Sequence, residues 1–424
     1  MSSQTASIPF ATIQQYEQIR ERTEYICLPL EPEDTVVQPI VDVSPPKWHL
    51  AHTTWFFETF VLRPYLQGYK VFHPKYGYLF NSYYNSVGNR VQRSARSTIT
   101  RPPLSDIYAY RQHVDENITK LLESIDEDKI SEVMKVLELG LQHEQQHQEL
   151  LLTDIKYILS TNPLLPAYKV SKPLQPFETE PEVKAKYMDV PGGIYEIGYQ
   201  GKKFCFDNEL GVHEVLLNDF QIMNRLVTNK EYLEFMEDGG YSDFRHWLDE
   251  GYTMVKSEGL KAPLYWVQED GAWYRFTVYG LELVDMNSPV THISFYEADA
   301  FANWSGKRLL TEFEWEAASQ VYKPRTGNFA ETELLEPAPA IAGAKGVQQL
   351  YGDTWEWTYS AYHPYPGFTK APGALGEYNG KFMINQMVLR GGSCVTPQSH
   401  IRTTYRNFFH PDKRWQYSGI RLAR

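Results

Sequence analysis

The stretch KISEVMKVLELGLQHEQQHQELLLTDIKYIL, residues 129–159, decides the fold of the first part of the chain. Apolar residues recur along it at helical spacing, which predicts one long amphipathic helix. One stripe of this helix contains Val133, Leu137, Gly140, Glu144, His147 and Leu151. Such a stripe should face a core, so the histidines that interrupt it mark a candidate site.

Three segments upstream also have the pattern of helices. They span residues 12–26, 47–60 and 104–122. The second follows Ser44-Pro45-Pro46, and a serine and a proline just ahead of such a segment are a start signal for a helix. Together the four segments predict a four-helix bundle over residues 1–160.

The composition of the sequence changes after the predicted bundle. Five prolines interrupt residues 161–186, which predicts an interdomain linker. Residues 187–424 contain short segments rich in glycine, asparagine and aromatic residues, with brief helical patterns at 229–236 and 295–304. This part is predicted to be a loop-rich α+β domain, and irregular stretches of this kind often carry function.

Size and charge limit the partners. A chain of 424 residues is long for one hydrophobic core and suggests two or three domains. The formal net charge is −12 at pH 7, whereas nucleic acids and anionic membranes select basic surfaces. We therefore expect no nucleic-acid partner, no membrane partner, and a small molecule as the substrate.

The cysteines and the first residues indicate the compartment. Cys27, Cys205 and Cys394 are far apart, which fits neither a disulfide framework nor a cysteine-based zinc site. Residues 1–10 have no basic segment followed by an apolar run, so no signal peptide is expected. These features predict a cytoplasmic protein, and the sequence has no signal for the oligomeric state.

The motif His143-Glu-Gln-Gln-His147 lies inside the long helix. Residues four apart share a helix face, so both imidazoles can reach one ion, and neutral imidazole suits zinc, iron, copper and nickel. A third ligand is expected from residues 48–55, which carry His49 and His52 between apolar and aromatic neighbours. These two histidines are three residues apart, and the spacing does not choose between them.

The same motif satisfies the pattern His-Glu-x-x-His of zinc hydrolases, in which Glu144 would be the general base. That alternative needs a third ligand downstream. No further histidine completes the extended pattern after His147, although the pattern leaves a downstream glutamate such as Glu149 open as the third ligand. A hydrolase also gives no reason for the histidine-rich segment upstream.

The chain resembles the ergothioneine-biosynthesis sulfoxide synthases over nearly its whole length. The resemblance is carried by SPPKWHLAHTTWFFE (44–58), the His-Glu-Gln-Gln-His motif, GDTWEWT (352–358), LRGGS (389–393) and YRNF (405–408). It implies a DinB-like four-helix bundle followed by a domain like the formylglycine-generating enzyme, a variant of the C-type lectin fold. Landmarks of that second domain are PGGI (191–194), NSPVTHIS (287–294) and KRLLTEFEW (307–315).

The resemblance also implies the metal and the reaction. It makes His52 the third ligand beside His143 and His147, around one Fe²⁺ ion. His49 would then pack or form a hydrogen bond nearby. The implied reaction uses O₂ to join the thiol of cysteine or γ-glutamylcysteine to C2 of the imidazole of hercynine, with oxidation of sulfur to a sulfoxide. Zinc could occupy three imidazoles but could not support a redox step.

Further residues are assigned roles by the same resemblance. Tyr83 and Tyr84, between the two ligand-bearing segments, are the expected proton donors, since the stretch that supplies a tyrosine in one branch of the family holds Leu375 here. Arg93 and Arg96 are expected to bind the carboxylate of the thiol substrate, because a guanidinium group suits bidentate capture.

Hercynine has an imidazole, a carboxylate and a trimethylammonium group to be recognised. Gln146 is expected at the imidazole, Asn407 at the carboxylate, and Phe408 and Phe409 at the quaternary cation. Some relatives carry an acidic residue at the place of Phe409, where it helps to select γ-glutamylcysteine. A phenylalanine there favours free cysteine.

Glu58 and Asp154 are expected to orient ligand imidazoles.

Other activities that proteins with this fold have can be compared with the residues present here. A formylglycine-generating enzyme uses two cysteines near its C-terminus, but only Cys394 is present in that region here. A selenoneine- or ovothiol-type synthase would share the fold and the ligands, so the sequence leaves both open. A non-enzymatic binding module would not need three histidines inside a bundle.

Overall fold

The computed structural model describes residues 10–173, 182–323, 326–370, 374–377 and 379–424. It divides the chain into two compact units. The first contains Met1–Pro163 and Pro372–Tyr378, and the second contains Leu164–Ala371 and Asn379–Arg424. Within the described ranges, no helix is long and apolar enough to cross a membrane.

The first unit is a helical bundle, as the sequence predicts. Its helices are α1 (Phe10–Cys27), α2 (Pro46–Phe57), α3 (Arg63–Tyr65), α4 (Tyr76–Phe80), α5 (Leu104–Ser124) and α6 (Ile130–Ser160). The four long helices correspond to the four predicted segments. Helix α2 packs against α5 and α6, and α1 packs against α6.

Helix α2 is the centre of the bundle. Pro46 stands in its first turn, where the missing N–H costs no hydrogen bond, and every residue from Pro46 to Phe57 is buried. A Cβ atom at Gly140 of α6 would lie 2.5 Å from a ring carbon of Phe57, so glycine there permits the close approach of the two helices. A π-helical turn, Glu58–Leu62, follows α2 directly. Single π turns are frequent at functional sites.

In its described residues, the second unit is built from short strands and four helices. The strands are β1 (Tyr187–Val190), β2 (Gly193–Ile197), β3 (His213–Leu217), β4 (Phe220–Met223), β5 (Trp266–Glu269), β6 (Ala272–Thr277), β7 (Gly280–Leu283), β8 (Arg308–Leu309), β9 (Trp355–Ala361), β10 (Met387–Arg390), β11 (Asn407–Phe409), β12 (Ser418–Gly419) and β13 (Leu422–Ala423). The helices are α7 (Asn229–Glu237), α8 (Asp249–Glu258), α9 (Phe295–Trp304) and α10 (Glu312–Tyr322).

These strands form four small sheets. The strand orders are β1-β4-β13-β8, β11-β10-β9-β12, β2-β3 and β5-β6-β7. The pairs are antiparallel except β12 with β9. A core cluster that includes Phe220, Ile222, Trp315 and Leu350 lies within this unit. The predicted α+β fold class is confirmed.

Helix prediction in the second unit is correct for α7 and α9 but missed α8 and α10. Helix α10 begins with a capping box in which the Thr311 hydroxyl accepts from the Glu314 amide and the Glu314 carboxylate accepts from the Thr311 amide. That pattern, a threonine followed three residues later by a glutamate, is a sequence signal for a helix start.

Part of the predicted linker, residues 161–186, belongs to the second unit. Tyr168 is buried there, and the amides of Tyr168 and Lys169 donate to the Val278 carbonyl at 2.9 and 2.8 Å. Residues 174–181 lie outside the described residues.

Candidate metal centre

Three histidines meet inside the helical unit. His52 lies on α2, and His143 and His147 lie one turn apart on α6. One ring nitrogen of each lies within 4.8 Å of the other two. The ring centroids are 4.6 to 5.0 Å apart and the rings face one another edge-on. Among the described residues, this is the one cluster of histidine, cysteine or acidic side chains that could hold a metal ion.

The backbone fixes the tautomer of His52. Its Nδ1 lies 2.6 Å from the Phe80 carbonyl oxygen, which can only accept, so Nδ1 carries the proton. The lone pair is therefore on Nε2, a buried atom without a hydrogen-bond partner among the described residues. A buried ring nitrogen with a lone pair and no donor is what a metal ion would satisfy.

A chain of three side chains fixes His147 in the same way. Asp154 Oδ2 lies 2.9 Å from His49 Nε2, and His49 Nδ1 lies 2.8 Å from His147 Nδ1. Burial lowers the pKa of His49, so this ring is neutral, donates to Asp154 from Nε2 and accepts at Nδ1. His147 then donates from Nδ1 and keeps the lone pair on Nε2. A carboxylate behind a ligand histidine is a common device for orienting it.

Burial also keeps the three ligand candidates neutral. It lowers the pKa of His143 to about 3 and holds the pKa values of His52 and His147 well below the usual range. Neutral imidazole is the metal-binding form. Three neutral nitrogen donors and the free Nε2 of His52 fit a divalent transition metal such as iron or zinc.

Aromatic rings hold His52 on both faces. Trp48 stacks on it at 4.5 Å between centroids and 11° between planes, and Trp55 at 5.5 Å and 17°. The Arg96 guanidinium lies 3.3 Å from the centre of the Trp48 ring. The stacked groups are therefore the Arg96 guanidinium, the Trp48 indole, the His52 imidazole and the Trp55 indole, and this stacking fixes the plane of the His52 ring.

Arg96 is a buried cation without an ion pair. Its side chain is 6% exposed, and Nη1 donates to the Ser44 hydroxyl at 2.7 Å. No carboxylate in the described part of the chain lies within ion-pair distance, and Nε has no acceptor there. Burial, and then the charges of Arg93 and Arg90, lower its pKa. Burying an unpaired cation is costly, so a carboxylate from a ligand would be strongly favoured here.

Of the two predicted tyrosines, Tyr84 packs against Trp55, which itself stacks on His52. Tyr84 is fully buried, and its ring centroid lies 5.6 Å from that of Trp55. Tyr83 is half-buried and packs on Tyr84 at 4.7 Å. Burial raises the pKa of Tyr84 far above its usual value, so this hydroxyl keeps its proton at neutral pH.

Glu144 is not placed to act as a general base. Its carboxylate accepts from the Arg20 guanidinium at 2.7 Å, the Arg111 guanidinium at 3.0 Å and the Thr23 hydroxyl at 2.7 Å. Burial opposes its ionisation, but the two guanidinium groups outweigh it and hold the pKa of the carboxyl below its usual range. These contacts join α6 to α1 and α5, and they oppose the hydrolase alternative.

The other predicted residues have different surroundings. Arg93 is exposed and donates to the Asp42 carbonyl at 2.6 Å. Gln146 is half-buried between the two histidines of α6. Asn407, Phe408 and Phe409 form β11 of the second unit.

Glu58 and Asp154 were expected to orient imidazoles. Asp154 contacts His49, which in turn contacts His147. Glu58 instead accepts from the hydroxyls of Tyr69 and Tyr110 and from the Phe72 amide. His49 was expected to pack or form a hydrogen bond near the site, and it forms hydrogen bonds to both Asp154 and His147.

Comparison with known proteins agrees with this architecture. Residues 15–151 match the DinB superfamily, and residues 174–333 and 321–424 match the sulfatase-modifying factor enzyme 1-like domain. The hercynine oxygenase of Mycolicibacterium smegmatis is 32% identical over 416 residues, covering 90% of this chain and 91% of that protein. The hercynine oxygenase of Mycolicibacterium thermoresistibile is 32% identical over 412 residues, with 90% and 87% covered. That of Mycobacterium tuberculosis is 32% identical over 406 residues, with 90% and 91% covered. The chain therefore belongs to the hercynine oxygenase family of oxidoreductases.

Proposed function

We propose that this protein is an Fe²⁺- and O₂-dependent sulfoxide synthase that joins the thiol of cysteine to C2 of the hercynine imidazole. The single observation that supports this most is the convergence of three neutral, buried imidazoles next to a buried arginine that has no ion pair. The histidines suit a metal and the arginine suits a carboxylate substrate. Family membership supports the choice of hercynine.

His52, His143 and His147 would hold the metal. A ferrous ion there would supply redox chemistry with O₂ and bring thiol and imidazole together at one centre. The chain contributes the orientation of the donors. The Phe80 carbonyl directs Nε2 of His52 inward, and His49 does the same for His147.

Arg96 would bind the carboxylate of the thiol substrate. Its guanidinium is held flat against Trp48 and by the Ser44 hydroxyl, so little side-chain entropy is lost on binding. Arg93 is exposed and would assist at the edge of the site. Phe409 offers no charge for the amino acid part of γ-glutamylcysteine, which supports free cysteine as the substrate.

Tyr83 and Tyr84 would supply a proton during the reaction. The raised pKa of Tyr84 keeps its hydroxyl protonated, which is the state that a donor needs. Tyr83 is half-buried and packs on Tyr84, so it is the more accessible member of the pair.

Hercynine has three groups that the protein would have to recognise. Gln146 would bond to the imidazole, Asn407 to the carboxylate, and Phe408 and Phe409 would offer ring faces to the trimethylammonium group. Phe408 is already stacked on Tyr362, with 4.1 Å between centroids. A fixed ring face suits a cation that has no hydrogen to donate.

The test is anaerobic loading with Fe²⁺, followed by O₂ uptake and product analysis with hercynine plus cysteine, γ-glutamylcysteine or a selenium donor. His52→Ala should abolish turnover, whereas His73→Ala, which removes an exposed histidine of the same unit, should not. A coupled sulfoxide that requires Fe²⁺ and His52 would support the proposal. Tight metal binding without turnover of any pair would refute the substrate assignment.

A further inference from the structure

A short turn from late in the sequence belongs to the helical unit. This turn, Ala374–Glu377, is 3₁₀-helical and lies in the segment Pro372–Tyr378, which groups with the first unit by its contacts. Both carboxylate oxygens of Glu377 are used. Oε2 accepts from the Asn85 amide at 3.0 Å, and Oε1 accepts from the Ser86 amide at 2.9 Å and the Ser86 hydroxyl at 2.7 Å.

These contacts form a small anion-binding concavity. Two successive backbone amides that point at one carboxylate bind negative charge well, and such bonds are stronger than those between neutral groups. The hydrogen bonds are exposed, so salt should weaken them.

The loop that Glu377 holds is the one that carries the two tyrosines. At its start, the Phe80 carbonyl accepts from His52 Nδ1 at 2.6 Å. In its middle, Asn81 Nδ2 donates to the carbonyls of Tyr84 and Gly88, both at 3.1 Å. The first attachment joins the loop to α2, and the second is local to the loop. Glu377 is a third, and it is 291 residues away from Ser86 in sequence.

We infer that Glu377 is a positioning residue that clips the loop at Asn85 and Ser86 and so sets the place of Tyr83 and Tyr84. Its catalytic consequence rests on the proposed function, in which these tyrosines donate a proton. Its hydrogen bonds act on the loop backbone, and its charge adds to burial in raising the pKa of Tyr84. A residue from late in the sequence thus helps to set the positions of the two proposed proton donors.

The experiment compares Glu377→Gln and Glu377→Ala with a matched control in the full-length protein. Glu331 is the control, because its exposed carboxylate also accepts a backbone amide, that of Gln398 at 3.0 Å to each oxygen. Hydrogen exchange at the amides of Asn85 and Ser86 should accelerate roughly tenfold in both Glu377 variants and stay unchanged in Glu331→Gln. High salt should move the wild-type exchange rates toward those of the variants.

Kinetics provide the readout that a merely structural role would not move. With the Fe²⁺-loaded enzyme, kcat should fall roughly tenfold while KM for both substrates and the Fe²⁺ affinity stay unchanged. Unchanged exchange at Asn85 and Ser86 would overturn the clip. Faster exchange with unchanged kcat would overturn the positioning role. Absence of turnover in the wild-type protein would refute the proposed function, which is a separate measurement from the exchange.

Discussion

Replacing Asp154 with asparagine tests the chain of hydrogen bonds behind the metal centre. In the wild-type protein, Asp154 Oδ2 accepts from the Ser44 amide at 2.8 Å and lies 2.9 Å from His49 Nε2. An asparagine keeps the shape but removes the charge that holds the His49 proton on Nε2. His147 then loses the partner that directs its Nε2 lone pair into the site.

The expected cost is a loss of metal affinity of about 10- to 100-fold, or about 1.4 to 2.8 kcal/mol. His49→Gln should have a similar effect, since it removes the middle of the same chain. The double variant should cost less than the sum of the two single variants, because both act through one hydrogen bond to His147.

The assay is an anaerobic titration of metal-free protein with Fe²⁺ against a competing chelator, with thermal unfolding measured in parallel. Glu58→Gln is the matched control, since Glu58 is an equally buried carboxylate that accepts from Tyr69 and Tyr110 rather than from a histidine. It should lower stability and leave the metal affinity unchanged. Equal losses of metal affinity in Asp154→Asn and Glu58→Gln, or no loss in Asp154→Asn, would show that Asp154 does not support metal binding through His49 and His147.

Three further results are expected. Arg96→Gln should raise KM for the thiol substrate about 10- to 100-fold in initial-rate measurements, since a charge-assisted bond to its carboxylate is lost; unchanged KM would place that carboxylate elsewhere. Glu144→Gln should lower the free energy of unfolding by up to about 3 kcal/mol in denaturant titrations, because the buried Arg20 and Arg111 keep only the partly exposed Asp115 and Glu24 as charge partners. Burial raises the pKa of Asp353 from 3.8 to about 6, so its stabilising contribution is full below about pH 4 and is lost as pH rises through about 6. Asp353→Asn should therefore remove a fall in unfolding free energy of about 2 to 3 kcal/mol between those limits, and an unchanged pH profile would contradict this.

The helical bundle and the shared helix face of His143 and His147 could be predicted from the sequence. Helical periodicity depends on residues that are three or four positions apart, so it can be recognised along residues 129–159 without any knowledge of the fold. His143 and His147 share a face for the same local reason. The α+β class of residues 187–424 could also be predicted. Their short strands could not, because strand pairing joins residues that are distant in sequence.

The burial and the hydrogen-bond partners of each polar side chain could be seen only in the folded structure. His49 and His52 lie one turn apart on a helix that is buried on every side. The Phe80 carbonyl accepts from Nδ1 of His52 and so leaves its Nε2 for a metal ion, whereas His49 bridges Asp154 and His147. Arg93 and Arg96 are equivalent by sequence, yet one is exposed and the other is buried against Trp48. Burial, tautomer and charge partners are set by contacts between residues far apart in the chain, and no local pattern encodes them.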